Sequence, residues 1–205
     1  MTLEGDARRE PNATLWLDPV CPFSWNTARW LRAVGEKTGI AVDWKLMSLA
    51  ILNEGQELPP AQQTRMRDSR AVGRIMAALA RDKGAAEWVN AYFVFGERYF
   101  DRSEPLSEEL ITHVLSEVGV ANGVAAAKSD TSLDAVLLDS HQAGQDALGD
   151  SSGSPILRID GQTFFGPVLT GSVDEQDTAA VFDAIATLAA APVFAELQRP
   201  RERSS

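Results

Sequence analysis

From 59 to about 148 the apolar residues recur at helical spacing, and on both sides of that stretch they recur in short strand-like runs. This order reads as one domain with a helical insertion between two strand-bearing segments. Ahead of the stretch, Ala13 to Leu17 reads as a short buried strand, 18–21 as a turn, and 23–39 as a helix with Gly39 just past its end. Val42, Trp44 and Leu46 then alternate with Asp43 and Lys45 as a second strand.

Behind the stretch come two more strands, Ile156–Ile159 and Gln162–Phe165, joined by the hairpin dipeptide Asp160-Gly161. A last helix carries Val181, Phe182, Ile185, Leu188 and Ala189, with Pro192 beyond it. Within the helical stretch one helix shows Val72, Ile75, Met76 and Leu79. A second shows Leu110, Ile111, Val114, Leu115 and Val118 between a Ser107 cap and a Gly119 stop, and a third shows Leu133, Val136, Leu137, Ala147 and Leu148. The order is β-α-β, a helical insertion, then β-β-α. At 205 residues and 44% hydrophobic content, the chain suits one sizeable core rather than two independent ones. We therefore expect 13–58 and 150–198 to form one α/β unit, 59–149 to form the helical insertion, and 1–12 and 199–205 to be flexible tails.

Cys21 is the sole cysteine, and it stands in Cys21-Pro22-Phe23-Ser24, between the first strand and the first helix. A thiolate at a helix start faces unpaired N–H groups and the positive end of the dipole. Such cysteines titrate at about 3.5–7.5 rather than about 8.5, so Cys21 reads as a nucleophile with a thiolate formed below neutral pH. Pro22 suits the first helical turn. Ser24 cannot resolve a mixed disulfide as a second cysteine would, and no other cysteine exists, so any disulfide of Cys21 is intermolecular. The plain alternative is a small buried hydrophobe.

A net charge of −10 argues against nucleic acid or an anionic membrane as partner. No apolar leader or membrane span is legible, and one cysteine agrees with a reducing compartment, so a cytoplasmic protein is expected. One Cys and two His at no ligand spacing leave no metal site, and no glycine-rich phosphate loop is present. No tightly bound cofactor is expected. Asp18 reads as a structural residue of the Asp-Pro turn, and His141 as a surface or supporting residue.

The strings Asp18-Pro19-Val20-Cys21-Pro22-Phe23-Ser24-Trp25, Arg29-Trp30-Leu31, Met47-Ser48-Leu49-Ala50-Ile51-Leu52-Asn53 and Phe164-Phe165-Gly166-Pro167-Val168 resemble the mycothiol-dependent reductase family of actinobacteria, members of which are described as DsbA-like oxidoreductases or nitroreductases. The resemblance spans about 15 to 199. It implies a thioredoxin fold with a DsbA-like helical insertion, catalysis by Cys21, and mycothiol as a thiol co-substrate. It also implies that Pro155 is the cis-proline facing the cysteine and that Ser154 helps to hold a bound thiol. Pro22, Phe23, Ser24 and Trp25 then complete a thiol or substrate site, with Phe23 or Trp25 as an apolar wall.

The family's usual motif ends in a second cysteine where this chain has Ser24, so Ser24 reads either as a monothiol design or as a replacement for cysteine. The expected partners are a low-molecular-weight thiol and a small-molecule or disulfide substrate, and a homodimer is compatible with the sequence. Two rival readings stand beside this one. A kappa-type thiol transferase or isomerase shares the fold but resembles a pattern with serine at the first motif position, and a non-catalytic binding module could retain the fold.

Overall fold

In a computed structural model, which describes residues 13–120 and 122–200, the strand β1 (Ala13–Leu17) lies inside a four-stranded sheet. It pairs in parallel with β2 (Val42–Leu46), placing Ala13 opposite Val42 and Leu17 opposite Leu46. A parallel pair needs a crossover, and α1 (Pro22–Thr38) supplies it, ending at Gly39 in the left-handed region (φ 76°). On its other side β1 runs antiparallel to β3 (Ile156–Ile159), which pairs in turn with β4 (Gln162–Phe165). The turn between them holds Asp160 and Gly161 at φ 47° and 83°, the pair of positive angles a two-residue hairpin of this twist requires. The sheet order is β2-β1-β3-β4, which fits the thioredoxin fold.

Alternation along β1 divides the interior. Ala13, Leu15 and Leu17 join the main core with Trp25, Ala28, Leu31 and Val34 of α1. Trp16 faces the other way, with Met47, Ile156 and, from α6 (Asp134–Leu148), Ala147 and Leu148. The helix approaches closely because Gly144 has no side chain, and a Cβ there would sit 2.9 Å from the Trp16 ring. The final helix, α7 (Thr178–Ala189), packs on α1, with Trp30 and Phe182 rings 6.1 Å apart and Trp30 Nε1 donating to the Thr178 carbonyl at 3.1 Å.

Between β2 and β3 the chain is helical. The short α2 (Leu49–Leu52) is capped by Ser48, whose Oγ accepts from the Ile51 N–H. Then come α3 (Pro60–Asp82), α4 (Ala85–Gly96) and α5 (Glu108–Glu117), the last capped by Ser107 as its sequence implies. Val72, Ile75, Met76 and Leu79 are buried, as are Leu110, Ile111, Val114 and Leu115, and all lie in the same core as β1 and α1. Helix α4 is rich in apolar residues and buries Trp88, Ala91, Tyr92, Phe93, Phe95 and Gly96, and its end runs on as a π-helical turn, Glu97–Asp101. At that junction a side chain on Gly96 would run into the Trp25 ring.

The reading of α6 needs correction. Its inner face is Leu137, His141, Gly144 and Gln145, whereas Val136 is 45% exposed. Two of those inward residues are polar and one is glycine, so an apolar stripe could not reveal the face. Leu188 of α7 is likewise exposed. The tail residues 1–12 and 201–205 lie outside the described residues. Among the described residues no helix is long and apolar enough to cross a membrane.

Candidate active site

Cys21 occupies the cap position of α1, with extended backbone (φ −86°, ψ 118°) and Pro22 in the first turn. The chain reaches it from β1 through a turn closed by Asp18, whose carbonyl accepts from the Cys21 N–H at 3.1 Å and whose Oδ1 accepts from the Val20 N–H at 2.8 Å. The Ser24 N–H, the Ser24 hydroxyl and the Phe23 N–H favour the thiolate form of the sulfur. The loop before β3 lies against it: the Cys21 thiol donates to the Ser154 carbonyl at 3.3 Å, and the Ser154–Pro155 peptide is cis. Ser154 Oγ accepts from the Asp18 N–H at 2.8 Å and lies 2.5 Å from Ser24 Oγ. Cys21, Pro22, Phe23, Ser24, Ser154 and Pro155 therefore come together. A second cis bond, Gly166–Pro167, has no counterpart in the reading of the sequence; the Pro167 carbonyl accepts from Thr27 Oγ1 of α1 at 2.7 Å.

Trp25 does not form an open wall. Its ring is buried against Tyr92, Phe93 and Phe100, the Arg29 guanidinium lies 4.9 Å over it, and its Nε1 donates to Asp101 at 3.0 Å. Trp25 therefore anchors the first turn of α1 to α4 and to the π-helical turn, and the half-buried Phe23 is left as the aromatic beside Cys21.

The expected low thiol pKa is also corrected. Cys21 is 3% exposed, and this burial raises its pKa above the ordinary value, outweighing the Ser24 and Phe23 donors that favour the thiolate; the nearby Asp18 carboxylate raises it further. In this arrangement the sulfur keeps its proton and donates it to Ser154. We expect the ultraviolet thiolate signal of the free protein, referenced to Cys21→Ser, to rise only above about pH 8.5. A transition below neutral pH would show that the donors outweigh burial.

Asp18 has a larger structural role than its turn suggests. Wholly buried, its Oδ2 accepts from the Leu49 N–H at 2.6 Å and from Ser69 Oγ at 2.5 Å. It thereby ties the cysteine turn to α2 and α3. Burial raises its pKa despite these donors. The network continues through Ser48, whose hydroxyl lies 3.3 Å from that of Ser69 and whose N–H donates to His141 Nδ1 at 3.4 Å; burial lowers the pKa of that imidazole. Ser48 and Ser69 escaped the sequence reading, although the cap signal of Ser48 was present three residues before Ile51. Tyr92 escaped it too: its hydroxyl is buried with no hydrogen-bond partner among the described residues, and the Cys21 and Asp18 charges add to burial in raising its pKa.

A cleft of about 410 Å³ between α2 and α3 is lined by Asn53, Met66, Arg67, Arg70, Arg74 and Lys128, among others. Most of its cations are already paired, Arg74 with Asp134, Arg70 with Glu54 and Lys128 with Glu108. It offers no nucleophile, so the cysteine turn remains the candidate centre.

Residues 20–199 match the model of the Rv2466c-like family, described as mycothiol-dependent nitroreductase Rv2466c. The chain belongs to this family. It is also 31% identical over 190 residues to the uncharacterized protein Rv2286c of Mycobacterium tuberculosis (strain ATCC 25618 / H37Rv), an alignment covering 90% of this chain and 80% of that protein. Among solved structures it resembles a 2-hydroxychromene-2-carboxylate isomerase, with TM-score 0.60, 13% identity, and 86% of this chain and 95% of the other covered. It also resembles the disulfide oxidoreductase DsbA of Proteus mirabilis, with TM-score 0.50, 14% identity, and 90% of each chain covered. At these identities the two structures show the fold, a DsbA-like thioredoxin fold. Membership of the Rv2466c-like family supports a thiol oxidoreductase or isomerase.

Proposed function

We propose that this Rv2466c-like protein is a thiol-dependent disulfide reductase working through a monothiol cycle at Cys21, with mycothiol or a thiol of that class as co-substrate. The observation that supports it most is the Cys21 thiol placed at the cap of α1, 3.3 Å from the Ser154 carbonyl, with the cis Ser154–Pro155 loop alongside. The resting thiol gives up its proton to solvent when a disulfide displaces the Ser154 contact, and the Ser24 and Phe23 groups that favour the charged form then stabilise the thiolate. The thiolate attacks one sulfur of the disulfide; a Cys21–S bond forms, the substrate S–S bond breaks, and the departing sulfur leaves as a thiolate that takes up a proton.

Ser24 cannot attack the mixed disulfide, so a second thiol does. Its thiolate bonds to the outer sulfur and the Cys21–S bond breaks, so Cys21 leaves as a thiolate that regains a proton from solvent; the resolving thiol ends in a disulfide with the retained substrate sulfur, and the departed substrate sulfur ends reduced. In this reading 13–58 and 150–198 carry the cysteine and the proline loop, and the insertion 59–149 covers them. The substrate lies against Phe23, and the protein works in the cytoplasm. Since Cys21 is nearly enclosed, the covering side chains must part for a substrate to enter.

Intact mass after incubation with oxidised mycothiol, and separately with oxidised glutathione, tests this. We expect one covalent thiol per chain, formed faster with mycothiol and absent in Cys21→Ser. An unmodified mass with both would refute it, and faster labelling by glutathione would reassign the thiol.

A further inference from the structure

We infer that the cleft between α2 and α3 is a binding site for a small molecule bearing a carboxylate or phosphate, gripped by Arg67 and Arg70, and that this molecule is the disulfide substrate of Cys21; the second part rests on the monothiol reading. Charge is spread unevenly over the chain. The whole carries −10, yet α3 holds five arginines, Arg65, Arg67, Arg70, Arg74 and Arg81, against two aspartates, Asp68 and Asp82. Arg67, Arg70 and Arg74 recur at spacings of three and four, so they share one face of the helix, and all three line the cleft together with Lys128. A concave patch of one sign raises the local concentration of ions of the other, here against the field of an acidic protein.

These cations differ in how firmly they are held. Arg74 is committed: its Nε and Nη2 donate to the two oxygens of Asp134 at 2.7 Å each, and its Nη1 donates to the Lys128 carbonyl at 3.2 Å. Arg70 is loose, 3.4 Å from Glu54 and 3.9 Å from Asp134, and the Glu54 side chain is 71% exposed. Such an exposed pair is worth little. Arg67 donates to the Thr64 hydroxyl at 2.7 Å, one turn back on its own helix, and no carboxylate pairs with it among the described residues. Two neighbouring guanidinium groups, one without a carboxylate and one with a displaceable one, suit the forked geometry of an oxyanion. Glu54 is then an internal competitor for Arg70. Leu58, Met66 and Ala71 add apolar wall, and about 410 Å³ accommodates an organic body rather than a bare ion. The cleft is also tied to the cysteine turn. Ala50 of its wall donates its N–H to Ser69 Oγ at 3.2 Å, Ser69 donates to Asp18 at 2.5 Å, and the Asp18 carbonyl accepts from the Cys21 N–H at 3.1 Å.

The test uses 3,3′-dithiodipropionate, a small disulfide with two carboxylates, beside its uncharged diamide. Binding of each to full-length Cys21→Ser, which forms no disulfide, is read by titration calorimetry at about 0.01 M and about 1 M salt, where the screening length falls from roughly 30 Å to roughly 3 Å. We expect the dicarboxylate to bind about tenfold tighter than the diamide at low salt and to lose most of that advantage at high salt. Added to this background, Arg67→Gln and Arg70→Gln should each weaken the dicarboxylate about fivefold, and Glu54→Gln, which frees Arg70, should tighten it about twofold. Arg74, whose ion pair joins α3 to α6, is left intact. Equal binding of the two compounds overturns the proposal, as does dicarboxylate affinity unmoved by both arginine changes or weakened by Glu54→Gln.

The rate of adduct formation at Cys21 is then read by intact mass for both disulfides with Cys21 in place. The dicarboxylate should react about tenfold faster at low salt, and that ratio should collapse in Arg67→Gln and Arg70→Gln. Selective binding with adducts at equal rates overturns the assignment of the ligand as substrate. Adducts without selective binding overturn the cleft and leave the monothiol cycle standing, whereas selective binding with no adduct from either compound refutes the monothiol cycle and upholds the anion site alone.

Discussion

Cys21→Ser is expected to lower thiol-dependent turnover by at least about a thousandfold, roughly 4 kcal/mol of barrier. The proposed cycle passes through a disulfide to this sulfur, and a serine oxygen can neither form that bond nor ionise near neutral pH. The fold should hardly respond. Its thiol makes one long contact, with the Ser154 carbonyl at 3.3 Å, and a hydroxyl of similar shape can donate to the same oxygen. Thermal stability within about 1 kcal/mol of the parent would therefore accompany the loss of turnover. Turnover retained within tenfold would mean that Cys21 is a core residue and that the chemistry lies elsewhere.

Asp18→Ala should have the largest effect on stability. The carboxyl is the common acceptor for the Val20 N–H, the Leu49 N–H and the Ser69 hydroxyl, at 2.8, 2.6 and 2.5 Å. Its removal strands two buried donors and one half-buried one, at about 1–3 kcal/mol for each buried donor. Relief of a buried carboxyl offsets part of this, leaving a net loss of about 3–5 kcal/mol. For a chain of this length that is a fall in melting temperature of roughly 6–20 °C. Asp18→Asn, which keeps one acceptor oxygen, should lose less.

The pH dependence has a definite sign. Because burial raises the Asp18 pKa above its ordinary 3.8, the folded state holds this proton more tightly than the unfolded chain does. The stability Asp18 contributes is therefore complete below pH 3.8 and declines as pH rises through the folded value, the reverse of a salt-bridged carboxylate. Chemical denaturation of parent and Asp18→Asn at several pH values would show it as a gap that narrows as pH rises.

The sheet and the cysteine turn were legible because both are written locally. A short apolar run marks β1, alternation marks β2, Asp160-Gly161 marks the hairpin, and Cys21-Pro22 marks the start of α1. The Asp18 hub was not legible, since it joins Asp18 to Leu49 and Ser69, 31 and 51 residues away, and serine carries no periodic signal. The thiol pKa shows the same division. A helix start lowers it by a local rule, but enclosure by the Ser154 loop is a tertiary fact, and it reverses the sign. Trp25 was misread for a related reason: its ring finds room only because Gly96, on another helix, has no side chain.

The decisive measurement is the rate at which an isolated Cys21 mixed disulfide is released as a function of added thiol. With Ser24 in place the rate should rise in proportion to thiol concentration and extrapolate to zero without thiol, whereas Ser24→Cys should release its adduct at a rate independent of added thiol. Release from the parent at a constant rate in the absence of thiol would contradict the monothiol cycle.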